Sequence, residues 1–143
     1  MYDGYAWFVK TANSQVQDED CIEENLRRIH ASAYRLIFHG ISCTNPQMAT
    51  PYDDGIIRND QLPDLISRLR LQAERLKACR TAADFFNYCV SMAIPEPVIR
   101  KELMCDWQHE PGFQHAMEQI VSRLTAFLET AHVEQKHIGV LGL

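Results

Sequence analysis

The sequence predicts an all-α protein: a single-domain bundle of about five helices, with short extended or irregular segments at its N- and C-terminal ends. Three observations carry that prediction. Apolar residues recur at helical spacing in several long stretches, Gly and Pro cluster mainly between those stretches, and 143 residues is the length of one domain. With 46% hydrophobic and 23% charged residues, the chain can bury one core from ordinary side chains, without disulfides or a structural metal. Residues 1–143 therefore read as a single domain.

The most regular stretch is 111–131. Phe113, Ala116, Met117, Ile120, Val121, Leu124, Phe127, Leu128 and Ala131 fall on one wide helical stripe, after Pro111 and Gly112 at its start. A helix this one-sided needs cover, because propensity alone does not hold it. The other segments read as that cover.

Residues 5–10 form an aromatic run too short for periodicity to separate a strand from a helical turn. A second helix is predicted from Asp18 to Gly40. Its acidic start and later arginines match the helix dipole, Glu23 with Arg27 and Glu24 with Arg28 stand at i,i+4, and Gly40 reads as the terminating cap. Residues 41–58 carry Asn45-Pro46, Thr50-Pro51 and Asp53-Asp54-Gly55, and read as a long irregular loop. Asp60 reads as the cap of a third helix, with Pro63 in its first turn. Thr81 with Asp84 predicts a capping box for a short fourth helix through Ala93. Pro97 opens another through about Cys105, and 106–110 reads as a bend. Residues 132–143 contain two glycines among apolar residues, so they read as a tail docked on this chain or on a second copy, offering a homodimer contact.

The net charge of -5 disfavours direct binding to a phosphate backbone. No apolar run reaches the roughly 18–20 residues that span a bilayer, and Met1, Tyr2, Asp3 and Gly4 lack a leader's basic and apolar regions. The expectation is a cytoplasmic protein without membrane contact. Five cysteines without a Cys-x-x-Cys pair suggest small buried thiols rather than a disulfide or zinc framework.

No cofactor or metal is expected. Cys105, His109 and His115 are split by the Pro111-Gly112 bend, and the Glu129/His132 and Glu134/His137 pairs lie at one helix end instead of on facing helices. The polar residues fall on outward faces, which suits a surface-presenting protein better than an enzyme enclosing a substrate. The function expected is non-catalytic: a small acidic inhibitor, immunity-type or regulatory protein that binds another protein, basic or nucleic-acid-handling. Its contacts are placed on Asp18, Glu19, Asp20, Glu23 and Glu24, and on Met48, Tyr52, Asp53 and Asp54 of the loop. The alternative is a helical metal-dependent or nucleic-acid-processing enzyme using histidines, with His30, Arg35 and His39 as its residues.

Overall fold

The all-α expectation is overturned by a four-stranded antiparallel sheet in the order β2-β1-β4-β3, which makes the protein α+β. In the computed structural model, which describes residues 4–143, the strands are β1 (Tyr5–Thr11), β2 (Leu26–His30), β3 (Gly55–Ile57) and β4 (His137–Leu141). Of the four residues read for a leader, Met1, Tyr2 and Asp3 lie outside the described residues. The helices are α1 (Ala31–Thr44), α2 (Leu62–Lys77), α3 (Ala82–Ser91), α4 (Glu96–Val98), α5 (Met104–His109) and α6 (Phe113–Val133). A π-helical stretch, Ile99–Leu103, joins α4 to α5. No described helix is long and apolar enough to cross a membrane.

The register explains which side chains face the helices. Phe8 sits opposite Arg27 on one side and Val140 on the other, Ala6 opposite Ile29, and Ile138 between Lys10 and Ile57. Directly opposed residues share a face, so Ala6, Phe8, Ile29, Ile57, Ile138 and Val140 form one apolar surface, each at most 3% exposed. That surface joins the buried faces of α1, α2 and α6 in a single core. The opposite face carries Val9, Gly139 and Ile56, and a β-carbon at Gly139 would run into Val16. The segment after β1 therefore folds back over the sheet, and β1 is apolar nearly throughout because both its faces are covered.

Several boundaries move for identifiable reasons. The helix predicted from Asp18 to Gly40 is instead two 3₁₀ turns, Asp18–Asp20 and Glu23–Asn25, followed by β2 and then α1. Pairing of Leu26 with Val9 and Ile29 with Ala6 overrides a helical spacing that was only local. Gly40 does not end α1. A β-carbon there would lie 3.0 Å from Gln72 Nε2, so its smallness lets α1 and α2 approach closely. The expected loop 41–58 shrinks to 45–54 between α1 and β3.

Asp60 falls in a 3₁₀ turn, Asn59–Gln61, that precedes α2, instead of capping it. Residues 106–109 are helical, not a bend. The tail docks on this chain as an extended segment, inside the sheet: β4 lies between β1 and β3, with Gly142 N–H donating to Asp54 Oδ1 at 2.8 Å and Leu143 N–H to the Pro51 carbonyl at 2.8 Å. The Thr81 capping box is present, Asp84 N–H donating to Thr81 Oγ1 at 3.1 Å and Thr81 N–H to Asp84 Oδ2 at 3.2 Å. Along α6 the buried stripe is Phe113, Met117, Val121, Leu124, Phe127, Leu128 and Ala131; Ala116 is exposed and Ile120 half-buried. Cys79 and Cys89 are buried, whereas Cys21, Cys43 and Cys105 are exposed.

Candidate functional site

The predicted contact residues divide between two edges of the sheet. Asp18, Glu19, Asp20, Glu23 and Glu24 lead into edge strand β2, while Met48, Tyr52, Asp53 and Asp54 lead into edge strand β3. Two strands lie between, a separation of about 14 Å at ordinary strand spacing. They do not form one patch.

The acidic edge is built by tight turns. Gln17 N–H donates to Asp20 Oδ2 at 2.9 Å, Cys21 N–H to the Asp18 carbonyl at 3.1 Å and Asn25 N–H to the Ile22 carbonyl at 2.9 Å. These bonds hold the backbone, with the Asp20 carboxylate engaged in its turn and Asp18, Glu19, Glu23 and Glu24 left exposed. Among the described residues none of the five makes an ion pair. Ile22 stands in their midst, 46% exposed.

Beside them lies a groove of 730 Å³ along the free edge of β2, lined by Trp7, Leu26, Ile29, Ile120 and Leu124, by three bases, Arg27, Arg28 and Arg123, and by Glu23 of the acidic turn. Arg27 lies 5.4 Å from the Phe127 ring and Arg28 4.7 Å from the Tyr5 ring. Among the described residues none of the three makes an ion pair, although Glu23 shares the groove with them and Glu24 lies in a pocket with Arg27 and Arg123. Sequence reasoning missed this basic edge because it paired Arg27 and Arg28 with acids on a helix that does not form.

The second edge is largely structural. Met48 is fully buried and packs where a β-carbon on Gly55 would be, so it cannot touch a partner. Asp53 accepts from Thr50 N–H at 2.8 Å, and Asp54 holds the chain terminus through Gly142. Tyr52 is 58% exposed, and its hydroxyl accepts from Arg35 Nη2 at 3.1 Å. It shares an apolar pocket of 310 Å³ with Phe38, Ile94 and Val98. Beneath this region, burial pushes the Tyr34 phenol well up, and the charges of Asp54 and Asp53 add to the effect.

The histidine alternative finds no convergence. His30 Nδ1 accepts from Ser32 N–H at 3.2 Å and caps α1, Arg35 is held by Glu102 at 2.7 Å, and His39 Nε2 lies 3.6 Å from Cys43 Sγ. Each has its own partner. Of the C-terminal acid and histidine pairs, three side chains are likewise engaged: Glu129 with Arg70, Glu134 with Lys10 at 2.7 Å, and His137 Nδ1 with Asn59 N–H at 2.9 Å. Among the described residues no group of three His, Cys, Asp or Glu side chains is placed to hold a metal ion.

No family model matches this chain, nor does any curated protein or solved structure.

Proposed function

We propose that the protein is a non-catalytic binding module, an inhibitor, immunity-type or regulatory protein that acts by docking a basic partner protein on its acidic turns. One observation carries this reading. Asp18, Glu19, Asp20, Glu23 and Glu24 surround the exposed Ile22 on a backbone fixed by its own hydrogen bonds, with no cation bound to any of them among the described residues. An apolar anchor ringed by charge is the arrangement that gives an interface both burial and steering. A preformed turn also loses little freedom on binding.

Exposed Cys21 supplies the test. With Cys43 and Cys105 changed to Ser, a photo-cross-linker on Cys21 reports what rests against the acidic turns in a host extract. The expected product is a protein adduct that weakens as salt rises and disappears in a D18K/E19K/E24K variant, which leaves the Asp20 bond of the turn in place. An adduct indifferent to both salt and charge reversal refutes the proposal.

A further inference from the structure

We infer that the pocket between α1, the 49–52 loop and the 92–98 stretch binds a small uncharged molecule, mostly apolar, that carries one hydrogen-bond acceptor. This goes beyond the partner-binding reading and does not depend on it, since the pocket's walls share no residue with the acidic turns. Its walls come from three separate segments: Phe38 of α1, Ala49 and Tyr52 of the loop, and Ile94 and Val98 of the stretch that joins α3 to α4. Its 310 Å³ lies at the lower end of the roughly 300–1,000 Å³ of ligand sites. At about 30 Å³ for each water-sized group, it takes a molecule of about ten non-hydrogen atoms.

The fold leaves this space unfilled. Phe38, Ile94 and Val98 pack against the main core yet stay half-buried, and all three line the cavity. An apolar guest would remove that surface from water and supply the contacts it lacks. The wall is also built on unusual backbone. Ala93 has φ 57°, a left-handed geometry that favours glycine, and the π-helical stretch Ile99–Leu103 follows directly on Val98. Both kinds of feature recur at ligand sites.

The rim sets the ligand's charge. Among the described residues Arg35 is the only charged one in the lining, and it is already engaged: Nη1 donates to Glu102 at 2.7 Å and Nη2 to the Tyr52 hydroxyl oxygen at 3.1 Å. An anion would have to displace Glu102 and a cation would face Arg35, so neither recovers the hydration it loses. The Tyr52 hydroxyl is different. Its oxygen accepts from Arg35, while its proton has no acceptor among the described residues. Accepting from a guanidinium polarises that hydroxyl and strengthens it as a donor. The ligand's acceptor belongs there, with its apolar body against Phe38, Ile94 and Val98.

Three probes of nearly equal size test the assignment: acetophenone, benzoate and ethylbenzene. They share a phenyl ring and carry, in turn, a neutral acceptor, a negative charge and neither. Nuclear magnetic resonance of the isotopically labelled full chain reports where each one sits. Acetophenone should move the Ile94 and Val98 methyl signals saturably, binding about fivefold tighter than ethylbenzene. Benzoate should leave them in place. Tyr52→Phe should bring acetophenone down to the affinity of ethylbenzene without changing ethylbenzene, and Val98→Trp, which fills the cavity, should abolish both. Should Val98→Trp fail to fold, wild type and Tyr52→Phe still decide. No saturable shift with acetophenone up to about 10 mM, the weakest affinity expected of a ligand with about nine atoms, overturns the inference. So does benzoate binding as tightly as acetophenone, or an acetophenone affinity unchanged by Tyr52→Phe. Movement of the same signals with protein concentration alone identifies a second copy as the occupant and overturns it too. None of these readouts involves Asp18 to Glu24, so the two proposals fail separately.

Discussion

Ile138→Ala separates the observed fold from the helical bundle the sequence suggests. In a bundle with a docked tail this side chain would be peripheral, and its truncation would cost little. In the sheet, Ile138 is 0% exposed, lies between Lys10 and Ile57 in the register, and belongs to the main core. The substitution removes three carbon groups at about 0.8 kcal/mol each, or about 2.4 kcal/mol. Incomplete collapse of the cavity raises this to about 3 kcal/mol, within the usual range for such truncations. At roughly 4 °C per kcal/mol for a chain of this size, the midpoint should fall by about 12 °C. Urea unfolding followed by far-ultraviolet circular dichroism measures the free energy, and a thermal melt followed the same way measures the midpoint. Val133→Ala serves as the control, since Val133 is 80% exposed and should change stability by less than about 0.5 kcal/mol. An Ile138→Ala variant as stable as that control would mean that β4 is not in the sheet.

Two other outcomes follow from the site chemistry of the scaffold. The backbone N–H groups of Arg80 and Thr81 hold the Asp84 carboxyl below its usual range, so the stabilisation they give is full above the unfolded pKa and lost as pH falls through the folded value. Asp84→Asn should therefore destabilise the protein at neutral pH, with the gap to wild type closing below about pH 4; a gap constant down to acid would contradict the assignment. Native protein should react quickly with Ellman's reagent at Cys21, Cys43 and Cys105 only. Burial pushes the Cys89 thiol to about 12 and raises that of Cys79, so those two should react on unfolding, and five fast thiols would show the core misplaced.

The elements legible in the sequence are those whose evidence is local. Phe113, Met117, Val121, Leu124 and Leu128 announce α6 by spacing alone, and Thr81 and Asp84 announce the start of α3 by a reciprocal pair of hydrogen bonds three residues apart. Strands depend on residues far along the chain. Phe8 becomes a sheet residue through Val140, more than a hundred positions away, and nothing in either segment names the other. Ile22, Leu26, Ile29 and Ala33 even keep helical steps, so β2 was hidden by a pattern that fits the wrong period. Gly139 is opaque for another reason: a glycine that spoils a helix is what allows Val16 to sit against the sheet.

The same distinction governs the candidate site. A cluster of carboxylates stays on the surface under almost any fold, so Asp18 to Glu24 could be singled out while their secondary structure was misassigned. Met48 could not be placed, since an apolar residue in a loop reads equally as contact or core, and its burial depends on Gly55 in β3. Arg27 and Arg28 show how far local charge pairing depends on the correction. On one continuous helix, Glu23 would neutralise Arg27 and Glu24 would neutralise Arg28, leaving a self-satisfied surface with little to offer a partner. As a 3₁₀ turn running into a strand, the same four residues lose that spacing, and neither acid pairs with either base among the described residues. Replacing a helix by a turn and an edge strand is thus what removes both i,i+4 pairs.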